Sequence, residues 1–277
     1  MVVRTARWTS GPGRLELGRT LPSLLAEAVR ERPNERAFND RPSAVPGKPG
    51  GPGTPWTSLS NSEFKLRAEA MAAGLRSMGL ERGDRVALLT HSDMSFVLAD
   101  MACLIAGLID VPIYLTHTRD AMRFILQESA CAAVLTSDTV LLAQALDVTS
   151  DLPGVKLVAV ASGGLASGGE VESADGDGGT LVTDYATVIA MGERRLAERP
   201  GLIESFAASQ QASDVATIIY TSGTTGSPKG VMLSHENLSS NAIASLTDLP
   251  TFLSGDQETV LSFLPLTHIF ARTLMYA

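Results

Sequence analysis

Cysteine is scarce in this chain: Cys103 and Cys131 are the only two in 277 residues, and both sit inside apolar stretches. Two thiols without metal-ligand spacing read as reduced packing residues, which excludes a disulfide scaffold and a structural zinc site and points to a cytoplasmic protein. Basic residues are outnumbered, with 22 Lys and Arg against 30 Asp and Glu, a net charge of -8. A nucleic-acid footprint needs a basic stripe, so none is expected here, although a small phosphate site needs only local positive potential. Long uncharged runs are missing too. The most apolar region, Met94 to Leu115, is interrupted by Asp100 and Asp110, so no segment reaches the ~18 residues of a membrane span. Met1 to Gly13 has Arg4 and Arg7 but no apolar stretch behind them, and is not a secretory signal. There is no Gly-x-Gly-x-x-Gly opening a helix, so a Rossmann dinucleotide site has no support.

What is present is the patterning of a sizeable globular protein. Apolar residues make up 44% of the chain and charged residues 19%, enough to bury one large core or two modest ones. Leu21 to Arg32 has helical periodicity and ends at Pro33. Ser60 and Glu63 form a capping-box pair ahead of a helix whose inward face is Phe64, Ala68, Met71, Leu75 and Met78, with Gly79 as its stop. Beyond it, strands and helices alternate. Strands are expected at 85–90, 109–114, 131–136 and 155–160, and helices at 92–108, 118–129 and 138–146. Strands separated by helices of this length predict right-handed crossovers and an α/β fold, with mostly parallel sheets flanked by helices. Residues 40–55 are dense in Pro and Gly, and 161–180 in Gly, Ser, Ala and acidic residues; both read as surface excursions. Helical periodicity resumes over 185–199 and ends at Pro200.

The informative segment begins at Val215. Val215 to Tyr220 is a β-branched strand candidate, and Val231 to Leu233 is a second. Between them run Thr221, Ser222, Gly223, Thr224, Thr225, Gly226, Ser227, Pro228, Lys229 and Gly230. Glycines at 223, 226 and 230 would allow positive φ and let backbone N–H groups approach an anion. The hydroxyls of residues 221, 222, 224 and 225 add uncharged donors. Lys229 adds one mobile positive charge, and so many donors suit a β/γ-phosphate better than a single carboxylate. The segment is not a Walker A loop, because Gly230 and a strand follow Lys229 where that loop requires Ser or Thr and a helix. The plain alternative is an inert Gly/Ser/Thr surface hairpin.

As an ordered string, Tyr220 to Leu238 closely resembles the AMP-binding signature of the adenylate-forming superfamily. A second string, Leu-Ser-Phe-Leu-Pro-Leu-Thr-His-Ile-Phe-Ala-Arg from Leu261 to Arg272, resembles the Leu-Pro-Leu-x-His-x-Phe-Glu-Arg segment of long-chain fatty acyl-CoA ligases, with Ala271 in place of the Glu. Gly79 to Val86 is similar to the superfamily's early Gly-Asp-x-Val turn, and Gly107 to Tyr114 to the strand that follows it.

This resemblance implies an ATP- and Mg²⁺-dependent enzyme that activates a fatty acid as acyl-AMP and passes it to CoA as co-substrate. It implies that Thr221 to Gly226 and Lys229 hold the nucleotide phosphates, that Thr221 touches Mg²⁺, and that His268 borders the acyl substrate. His268 also fits a plain helix-start residue. No catalytic residue is assigned within 1–277. Expected partners are fatty acid, ATP and CoA, without nucleic acid; peripheral membrane contact and oligomeric state stay open.

The resemblance also implies a partial AMP-binding domain over 1–277. It would comprise a first sheet subdomain at 61–213 and an incomplete second one from 20–60 plus 214–277. The Tyr-Gly-x-Thr-Glu segment, the ribose-binding Asp and the small carboxyl-terminal domain with its lysine would lie past Ala277. Two alternatives remain: a degenerate or truncated nucleotide-binding fragment without turnover, and a fatty acyl-AMP ligase.

Overall fold

The computed structural model describes residues 17–41, 51, 53–161, 172–173, 179–221, 228–247 and 261–276. The elements run α1 (Leu21–Glu31), β1 (Phe38–Asp40), β2 (Thr57–Leu59), α2 (Asn61–Ser77), β3 (Arg85–Leu89), α3 (Met94–Ala106), β4 (Ile109–Pro112), α4 (Arg119–Glu128), β5 (Cys131–Thr136) and α5 (Thr139–Thr149). They continue with β6 (Leu157–Val160), β7 (Glu172–Ser173), β8 (Leu181–Asp184), α6 (Tyr185–Glu198), α7 (Leu202–Ala208), β9 (Val215–Thr221), β10 (Lys229–Ser234), α8 (His235–Thr247) and α9 (Ile269–Tyr276).

Local chemistry explains most of the boundaries. Ser60 and Glu63 form the expected capping box, Ser60 Oγ accepting the Glu63 amide while a Glu63 carboxylate oxygen accepts the Ser60 amide. Gly79 follows α2 at φ +88°, the left-handed conformation that ends a helix cheaply only when no Cβ is present. Asp93, Thr118, Asp138 and Asp184 cap α3, α4, α5 and α6 with their side chains, satisfying amides that have no partner inside the helix. The sequence did not announce α7, the β1–β2 hairpin, β8 or the length of α8.

Eight strands form one sheet in the order β10-β9-β4-β3-β5-β6-β8-β7. The pairs β4–β3, β3–β5, β5–β6, β6–β8 and β9–β4 are parallel, while the edge pairs β10–β9 and β7–β8 are antiparallel. The mostly parallel α/β sheet is thus the expected one. Residues either side of position 213 share it, because β9 joins β4 through the register pair Asp110–Thr217.

Helices cover both faces, and side-chain alternation along β3 sorts residues between them. Val86 and Leu88 enter a core with α2, α3, α6 and α9, whereas Ala87 and Leu89 enter one with α4 and α5. Every residue of β5 and β6 is buried, which is why those strands read as continuous apolar runs rather than alternating ones. Helices α2 and α6 approach closely at two glycines. A Cβ on Gly74 would sit 1.9 Å from the Val188 carbonyl oxygen, and one on Gly192 only 1.7 Å from that of Ala70.

Candidate functional site

The site is assembled around the β9–β10 hairpin. β-Branched Val215, Thr217, Ile218 and Ile219 suit a pleated strand, and Ala216, Thr217, Ile219 and Tyr220 are buried. The register pairs Lys229 with Thr221 and Gly230 with Tyr220. The hydroxyl and ammonium-bearing residues at the two ends of the loop therefore face each other across adjacent strands. Thr221 and Lys229 are exposed, and no ion pair engages Lys229 among the described residues. Ser222, Gly223, Thr224, Thr225 and Gly226 lie outside the described residues.

Gly230 departs from its expected role. Its φ is not in the left-handed region; what demands glycine is space, since a Cβ would stand 2.9 Å from Ile218 Cγ2 and 3.1 Å from Tyr220 Cζ. The Tyr220 ring fills that space, and its hydroxyl donates to the Glu128 carboxylate of α4.

His268 immediately precedes α9 and is exposed. Its Nδ1 accepts the Phe270 amide at 3.3 Å, so it closes the first turn of the helix as a capping side chain. A neutral ring that accepts at Nδ1 carries its proton on Nε2, which is then an N–H donor. The segment before it is anchored separately: Leu266 is buried and its amide donates to Ser92 Oγ at 2.9 Å. Ala271 packs in the core shared by α2, α3 and α6, where a Glu side chain would be buried.

Sequence reasoning missed a buried ionic cluster behind this surface. Arg272, Asp100 and Asp110 each have fully buried side chains. Arg272 Nη2 donates to Asp110 at 3.0 Å and to Asp100, and Nη1 donates to Thr217 Oγ1 at 2.9 Å. Thr217 Oγ1 donates in turn to Asp110 at 2.7 Å. Tyr276 Oη accepts from Arg272 Nη2 at 2.7 Å and donates to Asp100 at 2.7 Å. Burial pushes the Asp100 carboxyl up to about 7, against the pull of Arg272. The available signal was Asp100 and Asp110 inside an apolar run, since two buried carboxylates require a buried cation.

Among the described residues no group of three His, Cys, Asp or Glu side chains could hold a metal. No helix there is long and apolar enough to cross a membrane. Two open cavities, about 590 and 570 Å³, are lined by other residues than Thr221, Lys229 and His268.

Comparison with known proteins gives consistent matches. The family model described as AMP-binding enzyme matches residues 25–277. A long-chain-fatty-acid–CoA ligase of Rattus norvegicus, ACSBG2, is 29% identical over 267 residues, covering 95% of this chain and 36% of its own length. The ligase FadD15 of Mycobacterium bovis is 33% identical over 222 residues, 80% of this chain and 34% of that protein. The chain therefore spans about a third of the length of these relatives. Among solved structures, a long-chain-fatty-acid–CoA ligase of Archaeoglobus fulgidus superposes with TM-score 0.72 at 20% identity, covering 98% of this chain and 47% of that one. The A domain of a carboxylic acid reductase from Segniliparus rugosus, in complex with AMP and a co-purified carboxylic acid, gives 0.68 at 21% identity, over 93% and 43%.

Proposed function

The chain belongs to the AMP-binding enzyme family, and from that premise we propose that the complete protein activates a long-chain fatty acid with ATP and transfers it to CoA. In the first step a carboxylate oxygen bonds to the α-phosphorus of ATP and pyrophosphate leaves, giving acyl-AMP. In the second, the CoA sulfur bonds to the acyl carbon and AMP leaves. Positioning and neutralisation of phosphate charge supply most of what the first step needs from a protein.

The observation that carries this assignment is the Thr221–Lys229 register of the hairpin. It sets a hydroxyl-bearing and an ammonium-bearing residue opposite each other at the two ends of one short Gly/Ser/Thr loop, the ammonium without an ion pair among the described residues. The loop amides and hydroxyls of Thr221, Ser222, Gly223, Thr224, Thr225 and Gly226 would hold the β- and γ-phosphates, and Lys229 would neutralise them as a point charge. Mg²⁺ prefers phosphate and water oxygens with few protein ligands, so the lone Thr221 hydroxyl fits as one contact to the ion. When bound, the ion would shield phosphate charge. His268 Nε2–H, which the capping bond at Nδ1 does not use, is suited to donate to the fatty carboxylate. A partition of the chain into subdomains at 61–213 and at 20–60 plus 214–277 is proposed as well, as two units that share the eight-stranded sheet through the β4–β9 pair.

Lys229→Ala in the complete protein tests the assignment. We expect ATP affinity to fall by about tenfold or more, the loss of a charge-assisted phosphate contact being worth about 1.5–3 kcal/mol. Fatty-acid-dependent pyrophosphate exchange should fall with it. Unchanged ATP affinity would refute the phosphate role of the loop. Mg²⁺–ATP binding without any exchange in the unsubstituted protein would instead assign a nucleotide-binding module.

A further inference from the structure

A fully buried guanidinium with several polar bonds lies four residues beyond His268. Arg272 projects from α9 into the sheet and reaches three other elements at once: Asp100 on α3, Asp110 on β4 and Thr217 on β9. Thr217 is four residues before Thr221 on the strand that leads into the loop. Its hydroxyl both accepts from Arg272 and donates to Asp110. The guanidinium thus connects the helix started by His268 to the strand ended by Thr221.

Packing alone does not require such a cluster. Desolvating three ions costs several kcal/mol each, and apolar side chains of similar volume commonly hold elements together as well or better. What an ionic cluster adds is direction. A planar fork that satisfies Thr217 and two carboxylates fixes the rotation and the axial register of α9 against β9 and β4, where a Leu or Met would tolerate sliding. Tyr276, one turn further along α9, bonds both to Arg272 and to Asp100, so two consecutive turns of that helix share the restraint.

We propose that Arg272 is a positioning residue: through Thr217 it sets the acyl-side segment at His268 in register with the strand that carries the phosphate loop. The fatty carboxylate and the α-phosphorus are then presented to each other at a fixed separation. This rests on the function proposed above, and it assigns Arg272 no contact with either substrate.

The test uses the complete protein with Thr217→Val and Arg272→Lys. Thr217→Val keeps the strand-compatible shape and removes the hydroxyl that joins Arg272 to β9 and donates to Asp110. Arg272→Lys keeps a cation beside the carboxylates and removes the fork. For each we expect the kcat of fatty-acid-dependent pyrophosphate exchange to fall by about 10- to 100-fold, the scale of an ångström-sized misplacement. Directly measured ATP affinity should stay within about threefold, since the loop itself is untouched. A merely structural role predicts a lower melting temperature with wild-type kcat and KM in the folded fraction, and that result overturns the proposal. If Arg272→Lys fails to fold, Thr217→Val alone decides. An unsubstituted protein without exchange would sink the ligase assignment and the positioning role together. Wild-type exchange that Lys229→Ala impairs and Thr217→Val leaves intact would sink only the positioning role.

Discussion

His235 makes folding sensitive to acid, and the size of the effect follows from its surroundings. It opens α8, is 2% exposed, and its Nδ1 accepts the Leu21 amide at 3.4 Å. That amide belongs to the first turn of α1, whose own N-cap residue, Thr20, makes no capping side-chain bond. An imidazole that accepts at Nδ1 must be neutral, and burial drives its pKa from 6.5 down to about 4, with Asp214 pulling weakly the other way. A depressed histidine stabilises the fold fully above pH 6.5. As pH falls from there through 4, the unfolded chain binds a proton that the folded chain refuses, and the stability is lost. At about 1.4 kcal/mol per pH unit the full span is worth roughly 3 kcal/mol. The assay is urea unfolding of the wild type and of His235→Gln at several pH values between about 7.5 and 4.5. The variant should be about 1 kcal/mol less stable at the upper end, from the weakened amide bond, and the gap should close or invert towards the lower end. Asp100, pushed up to about 7, changes stability in the opposite sense over much of the same range, so the difference between the two proteins is the decisive quantity. Parallel stability curves would refute the argument.

Two further outcomes are expected. Gly192→Ala places a methyl 1.7 Å from the Ala70 carbonyl oxygen, so α2 and α6 must separate. Destabilisation of about 1–3 kcal/mol or more should appear in urea unfolding, and an unchanged midpoint would show that the helices slide freely. Cys103 and Cys131 are buried, and burial raises both thiol pKa values, that of Cys131 to about 12. A thiol reagent near pH 8 should label neither in the native protein and both in denaturant; stoichiometric labelling of the native state within minutes would contradict that burial.

Much of the fold was legible because its signals are local. The Ser60–Glu63 box, the left-handed Gly79 and the periodicity of α2 each involve residues within one or two helical turns. The apolar run at 131–135, closed by Thr136, announced a strand of a sheet covered on both faces, and β5 is that strand. α7 and the β1–β2 hairpin escaped because their residues carry weak patterns and are ordered by contacts made elsewhere, as when Phe38 stacks on Phe64. For the candidate site, the order of hydroxyls, glycines and Lys229 could be read directly, but Gly230 was assigned the wrong necessity. The tight approach of the Tyr220 ring lies across the hairpin rather than along the chain.

The sequence by itself determined where helices begin and stop, which strands are buried on both faces, and the ordered string at 220–238 with its family resemblance. All of these are properties of neighbours in the chain, fixed by dihedral preference, capping chemistry and side-chain period. Only the tertiary structure decided that β9 lies beside β4, that His235 caps a helix more than two hundred residues earlier, and that Asp100, Asp110 and Thr217 converge on Arg272. The physical reason is that a buried charge declares a need for a partner without saying which one. That choice is made when the sheet closes and water is excluded.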